Sequence, residues 1–423
     1  MTERHLLSEL LVFGGTSFIL TQAVLSLALS PGQTPTDGNP LWKLILSLSY
    51  LAVAAILVQN YGHTLAVFRR NLLLLALVLL ALVSCCWATT PSLVLQRSVA
   101  VLGTTLVGVG LAVRLPLEDQ LRLMSWIFRL ITLLSLVCVV LLPQYGISDW
   151  TQNHGEWRGV FGHKNELGSA MALAVLVESQ LPARTHFSRF VKALSLLLSS
   201  VLLLFSNSLT PTLALAGSLL LIGMYRVAVQ WLRMPLYAIV FATVLIVAST
   251  VLVLAANSGR AAAVLGRSSD LTGRAQIWDL VVSYALDRPF FGYGYSGFWY
   301  GASPESVTVN QIMGMPIMYS HNGYLEIFLA LGAAGLILAV AFLVLGIRRA
   351  LHYSEYNRSD VSLWPLAFLF YFLLHNLTEC TILFQDLEWA ICVATIATVD
   401  PALFSLGVKY KDEPLLTPIE QPT

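Results

Sequence analysis

Charge is what this sequence has least of. Asp, Glu, Lys and Arg make up 11% of its 423 residues, less than half of the roughly 25% that a soluble domain carries. With hydrophobic residues at 57%, the composition is that of a protein embedded in lipid. Lys plus Arg (24) against Asp plus Glu (23) leaves +1, which excludes a basic field for nucleic acid and an acidic tail for a cationic partner. Cysteine is scarce too. Cys85, Cys86, Cys138, Cys380 and Cys392 form no C-x-x-C pair, which indicates neither a disulfide framework nor a zinc site and leaves them as small core residues. There is no H-E-x-x-H, Walker loop, G-x-S-x-G or D-x-D, and the one D-x-E, Asp386-Leu387-Glu388, has no histidine beside it. Metal-dependent sugar transfer is thereby disfavoured. Gly292-Tyr293-Gly294-Tyr295-Ser296-Gly297 spells G-x-G-x-x-G, but no strand precedes it, so it is not read as a dinucleotide fingerprint.

What is abundant is long apolar runs. About 12 are long enough for a membrane helix of roughly 20 residues, near 10–30, 41–60, 71–88, 93–113, 121–142, 165–181, 190–206, 210–225, 234–256, 322–347, 362–378 and 383–405. They are continuous rather than alternating, so a β-barrel is excluded. The runs at 190–206 and 210–225 are short enough to be one span wrongly split. The first ends without a small-x-small cleavage site and reads as a retained span rather than a signal peptide. The fold expected is all-α, a polytopic membrane protein, with N-terminal helices over 1–142, a catalytic membrane region over 143–408 and a disordered cytoplasmic tail over 409–423.

Positive charge fixes the expected orientation. Arg4, Arg69 and Arg70, Arg114 and Arg122, Arg184 to Lys192, Arg226 and Arg233, Arg348 to Arg358, and Lys409 with Lys411 occupy every second connection. These are the cytoplasmic ones, and both termini lie inside. Two outer connections carry charges and aromatics, 143–164 and 257–321, and in a chain of short loops such segments are where chemistry is sought. The counted side chains of the longer one, Arg260, Arg267, Arg274 and Arg288 against Asp270, Asp279, Asp287 and Glu305, cancel. An anion site there must be built from individually placed arginines.

Three constellations stand out. In Trp157-Arg158-Gly159-Val160-Phe161-Gly162-His163-Lys164-Asn165-Glu166, ionisable groups crowd the entry to the sixth span. Interfacial anchoring suits Lys164 and Glu166 but suits Arg158 less well, set among Trp157, Val160 and Phe161. In Thr272-Gly273-Arg274 to Pro289, Thr272 can cap a helix that Pro289 ends. Ile277, Trp278, Val281, Val282 and Ala285 form one face, and Arg274 lies within that stripe. Such an arginine needs an anion, either a carboxylate or a ligand. In Ser320-His321-Asn322-Gly323-Tyr324-Leu325-Glu326, His321 re-enters the membrane and Glu326 lies one turn deeper. A lone histidine there is commonly structural, whereas a carboxylate inside a span is a functional candidate. Arg97 is a further charge near the outer end of the fourth span.

Over roughly residues 155–340, the order and spacing of these motifs resemble the O-antigen ligase and polysaccharide polymerase superfamily of bacterial envelopes. The resemblance rests on Arg158-Gly159 with Gly162-His163-Lys164-Asn165 and Gly168, on Leu271-Thr272-Gly273-Arg274 with Trp278 and Asp287-Arg288-Pro289 through Gly294, and on His321-Asn322-Gly323-Tyr324 with Gly332 and Gly335. Lys164 stands where many ligases carry proline, which is closer to the exopolysaccharide-polymerase branch.

The resemblance implies a GT-C-type glycosyltransferase of the bacterial inner membrane, its site facing the periplasm. Its donor would be a glycan on undecaprenyl pyrophosphate, and its acceptor a sugar hydroxyl of another lipid-linked repeat unit, lipid A-core or a protein. The family's arginine pair and loop histidine match Arg158, Arg274 and His321. The chemistry agrees: guanidinium forks suit pyrophosphate oxygens and can take the place of a metal, so no cofactor is called for. A histidine, unperturbed near about pH 6.5, can take the acceptor proton. Lys164, Arg288 and Arg97 are the lesser candidates for the pyrophosphate, and His163 and Glu326 for proton transfer. A transporter or flippase is the rival, but here the long connection falls between the ninth and tenth spans and midplane charges are scarce.

Overall fold

The computed structural model describes residues 3–23, 40–149, 154–227, 235–256, 270–299, 303–357 and 359–401. The described residues are all-helical apart from one isolated bridge, Ile147 to Trp157. Each apolar run is met by a helix: α1 (Glu3–Leu20), α2 (Pro40–Gln59), α3 (Tyr61–Arg70), α4 (Leu72–Val83), α5 (Pro91–Arg114), α6 (Leu117–Leu141), α7 (Lys164–Gln180), α8 (His186–Phe205), α9 (Leu209–Val227), α10 (Leu236–Ala256), α11 (Asp270–Asp287), α12 (Pro304–Met313), α13 (Gly323–Tyr356), α14 (Trp364–His375) and α15 (Leu387–Thr398). Among the described residues six helices are long and apolar enough by themselves to cross a membrane: α2, α5, α6, α8, α9 and α13. A seventh arises if α3 and the segment Leu72–Cys86 count as one span. Helices α4, α14 and α15, at 12 residues each, are shorter than the runs suggested. Arg233, Arg260, Arg267, Arg358 and the tail over 409–423 lie outside the described residues.

Small residues on α5 explain why it becomes the central post. A Cβ on Gly103 would fall inside the ring of Tyr50 on α2, one on Gly108 would strike the Ala390 carbonyl on α15, and one on Gly110 would strike Phe13 on α1. Backbones approach closely at such positions, which is how helices associate without a hydrophobic drive. Hydroxyls lock the contacts: Tyr50 Oη lies 2.8 Å from Thr104 Oγ1, and Trp389 Nε1 donates to Thr105 Oγ1 at 2.9 Å. The outward side of α2, with Leu41, Leu44, Leu48, Leu51 and Val58, is exposed, as a lipid-facing surface requires.

The run at 71–88 is not a straight span. Helices α3 and α4 meet at an 89° bend, and its backbone groups are held by Arg349. The Arg349 guanidinium donates to Asn71 Oδ1 (2.6 Å), the Arg70 carbonyl (2.9 Å) and the Ile396 carbonyl (3.2 Å), and pairs with Asp400 at 2.7 Å. A residue read as an orientation marker is thus a buried clamp. Asn207, at φ 53°, turns the chain between α8 and α9, so those two short runs are separate helices.

The outer segment from residue 270 builds a second, smaller core. Ile277, Val281, Ala285, Tyr293, Phe298, Trp299, Val309, Ile317 and Leu329 pack together there. Helix α11 begins at Asp270, two residues before Thr272, so Thr272 lies inside it rather than capping it. Its buried face is Ile277, Val281 and Ala285, whereas Val282 points outward.

This cap is stitched to α13 where that helix breaks. Gly332 has φ 64° and ψ −162°, which only glycine adopts readily. The break strands helix carbonyls and amides that need partners. The Leu329 and Ala330 carbonyls accept from Tyr293 (3.0 Å) and Gly294 (2.9 Å), and the Ala333 amide donates to the Pro289 carbonyl (2.7 Å). Gly292, at φ 63°, sits so close that a Cβ would lie 2.5 Å from Ala330. The glycines of the letter match therefore serve backbone docking.

Orientation can be read directly. In a Cys86→Ser background, which removes an exposed native thiol, Thr308→Cys on α12 should react with an impermeant maleimide in intact spheroplasts, and Ser359→Cys only after lysis. The opposite pattern would invert the topology.

Candidate active site

The carboxylate that answers Arg274 is Glu379, in the turn between α14 and α15. Arg274 Nη2 lies 2.9 Å from Glu379 Oε1, and Nη1 donates to the Thr378 carbonyl at 2.6 Å. Asn165 Nδ2 reaches the same Oε1 at 3.0 Å, and His321 Nδ1 stands 3.8 Å from Oε2, beyond hydrogen-bonding distance. Burial would raise the Glu379 pKa, but the opposing His321 and Arg274 reverse the sign and hold it at about 2. Glu379 therefore stays an anion and gathers one residue from each sequence constellation.

The local sequence explains why this turn exists. Asn376 Oδ1 accepts from the Thr381 and Ile382 amides at 2.9 and 3.0 Å, and its Nδ2 donates to Thr381 Oγ1 at 2.7 Å. An asparagine that satisfies backbone in this way substitutes for a helical turn. Beneath it, Ser169, one turn along α7 from Asn165, contacts His375 Nε2 at 3.0 Å, and His375 Nδ1 meets Glu388 at 3.0 Å. Polar groups thus continue from the surface cluster into the bundle.

The His-Asn-Gly-Tyr motif proves to be local engineering around His321. Asn322 caps α13 by accepting from the Tyr324 and Leu325 amides, a side-chain job that asparagine does well. A Cβ on Gly323 would fall 2.2 Å from Asn376 Oδ1, so glycine lets α13 begin against the Glu379 turn. Tyr324 Oη donates to the Leu373 carbonyl at 3.1 Å. His321 itself takes φ 53°, a conformation that non-glycine residues hold where the surroundings over-determine it. Its ring lies on Tyr319, centroids 4.4 Å apart, and its Nδ1 is buried without a hydrogen-bond partner. Trp278 Nε1 fixes the preceding carbonyl, Ser320, at 2.9 Å.

The other candidates take different places. His163 caps α7, its Nδ1 accepting from the Asn165 amide at 3.2 Å. Burial lowers its pKa, so it is neutral with the proton on Nε2 and its one lone pair already engaged. Lys164 is buried and paired with Glu156 at 2.8 Å. Glu326 accepts from Trp299 Nε1 at 2.8 Å and from the Ser320 amide at 2.8 Å, which ties down the loop that carries His321. Arg158 donates from Nε to the Tyr145 carbonyl at 2.8 Å, at the outer end of α6, rather than to the Glu379 cluster. Arg288 lies over the Tyr293 ring at 4.3 Å. Arg97 donates to the Ser296 carbonyl at 2.7 Å. Sequence reasoning missed Glu379 and the Asn376 turn and quoted Asn165 without giving it a role; the position of Arg274 on an apolar stripe was the available signal for an acid elsewhere.

Residues 194–340 match the model of the O-antigen ligase family. This segment, 147 of the 423 residues, is similar to the O-antigen ligase family. The O-antigen ligase match takes in Arg274 and His321, while Arg158, His163 and Asn165 precede it and Glu379 follows it. It supports the superfamily and does not single out the exopolysaccharide-polymerase branch that Lys164 suggested. None of the curated proteins compared with the chain is significantly similar to it.

Removing one partner of a buried pair costs about 3–5 kcal/mol because the other charge is stranded. Glu379→Gln should therefore lower the melting temperature markedly, and Arg274→Met combined with it should recover part of the loss. With the pKa lowered from 4.5 to about 2, the stabilisation is fully present above pH 4.5 and is lost as pH falls towards 2. The difference in melting temperature between wild type and Glu379→Gln should hold from pH 7 to about 5 and shrink below that. A difference that did not change with pH would mean that the Glu379 charge is not what stabilises.

Proposed function

We propose that this protein is a GT-C-type membrane glycosyltransferase of the bacterial inner membrane. It moves a glycan from an undecaprenyl-pyrophosphate carrier to a sugar hydroxyl of another lipid-linked repeat unit, with inversion and at the periplasmic face. The observation that carries this reading is the meeting of Arg274, Asn165 and His321 around Glu379, at the junction of cap and bundle in a chain with a segment similar to the O-antigen ligase family. The matched family is described as O-antigen ligase, which makes ligation to an acceptor such as lipid A-core the second reading, and the same chemistry serves both. The catalytic unit is proposed to span 143–408.

In the proposed step the acceptor oxygen attacks the anomeric carbon as its bond to the pyrophosphate oxygen breaks. The hydroxyl proton passes to His321, and the electron pair of the broken bond leaves on the pyrophosphate. Glu379 faces Nδ1, so it favours a proton there and leaves Nε2 to act as the base. Arg274 supplies the fork for the leaving oxygens, and a guanidinium does this better than an ammonium. Arg158 sits at the other outer junction, where it would reach the carrier phosphates only if the donor spans both. His163, with its lone pair engaged in the cap, is the lesser base, and Lys164 and Glu326 act as positioning residues.

Transfer by purified protein in proteoliposomes, with radiolabelled lipid-linked repeat unit, tests the reading. His321→Ala should abolish transfer while keeping donor binding and melting temperature, whereas His163→Ala should lose stability first. Arg274→Lys should fall on the order of a hundredfold in rate. Full turnover by His321→Ala would remove it as the base.

A further inference from the structure

A cavity of about 460 Å3 lies beside the cap, away from Arg274, between α1, α2 and α5 on one side and the loops at 295–296 and 384–385 on the other. Its lining is graded along the helix axes. On α2, Lys43 stands in the first turn and Leu46 and Tyr50 follow inward. At 1.5 Å per residue Tyr50 lies about 10 Å deeper than Lys43. On α5, Gln96 and Arg97 come first and Val99 and Ala100 follow. The two cations therefore precede Leu46, Val99 and Ala100 along their helices, in a lining that also carries Ser47, Tyr50 and Gln385, an arrangement that suits an anionic head on an apolar chain.

The head position is built rather than incidental. Arg97 is held by Nη1 on both the carbonyl (2.7 Å) and Oγ (3.2 Å) of Ser296, and Ser296 takes φ 53° to present them. On the opposite wall, Gln385 Nε2 reaches Tyr50 Oη at 3.4 Å. Two ring contacts lead from the cavity wall to the proposed base. Phe384 in its wall lies 6.4 Å from Tyr319, and Tyr319 lies 4.4 Å from His321. A sugar attached to a head held at Arg97 has the proposed base two ring contacts away across the Phe384 wall, which a glycan-bearing lipid can use and a plain phospholipid cannot.

We infer that this cavity is the acceptor-carrier site, taking the phosphate head of an isoprenoid phosphate on Arg97 and Lys43 and the start of its chain along Leu46, Val99 and Ala100. This rests on the transfer reading for the meaning of the bound lipid, but the binding itself can be measured without turnover.

The test uses the full-length protein in nanodiscs of phosphatidylethanolamine, with undecaprenyl phosphate as the probe. Lys43→Ala with Arg97→Ala should weaken one class of binding at least tenfold, and Ser47→Trp, which fills the cavity from an exposed position, should do the same. The double variant Arg274→Met with Glu379→Gln, which removes that cation without stranding the acid, should leave that class untouched, and a hundredfold excess of phosphatidylglycerol should not displace the probe. Unchanged binding in both cavity variants would overturn the assignment, as would displacement by phosphatidylglycerol, which would mark an ordinary anionic-lipid site. Loss of this class in the cavity variants of a protein that transfers no glycan would uphold the cavity and overturn only the transfer reading.

Discussion

The outer half of this molecule is organised by one buried ion pair. Arg274 comes from the cap and Glu379 from the far end of the bundle, 105 residues away. Neither charge can be left in this desolvated place without the other. Because Glu379 also engages Asn165 and faces His321, the pair fixes the relative position of three chain segments. The cap's own apolar core supplies bulk stability, but it has no directional contact that could set the position of one guanidinium to within an ångström. The ion pair supplies that.

The same pairing explains a contrast between the charged residues. Arg349, Lys164 and Arg158 have geometry that is already complete: Arg349 on an acid and backbone carbonyls, Lys164 on a carboxylate, Arg158 on carbonyls. His321 is different. It is held in an uncommon backbone conformation, with one ring nitrogen buried, unbonded and 3.8 Å from an anion. Local strain and an unmet polar atom in an otherwise satisfied neighbourhood are where function is expected to have displaced stability.

Helix positions were legible in the sequence because lipid leaves the backbone little alternative, and every apolar run meets a helix. Their lengths were less so: hydropathy cannot distinguish a full span from a shorter helix walled in by neighbours, as with α14 and α15. The α3–α4 bend was missed because its cause, Arg349, lies 278 residues from Asn71. Arg274 was legible as a residue needing an anion, since its place on an apolar stripe is a local property. Glu379 was not, because it sits in a short outer connection with no helical phase to show which way it points. Thr272 was misjudged for a simpler reason: a good capping residue two positions inside a helix looks the same in sequence as one at its end.

The break at Gly332 divides α13 into an outer piece fastened to the cap and a longer inner piece fastened to the bundle. An unbroken helix of 34 residues would act as a rigid lever, and any tilt imposed on it by a thicker or thinner bilayer would swing His321 across the Glu379 carboxylate. With its carbonyls and amides satisfied by the 289–294 loop, the hinge keeps the first turns of α13 in the frame of the cap. The first turns of α13 therefore take their direction from the cap at one glycine rather than from the inner piece, and His321 is set in the same frame as the loop that holds it.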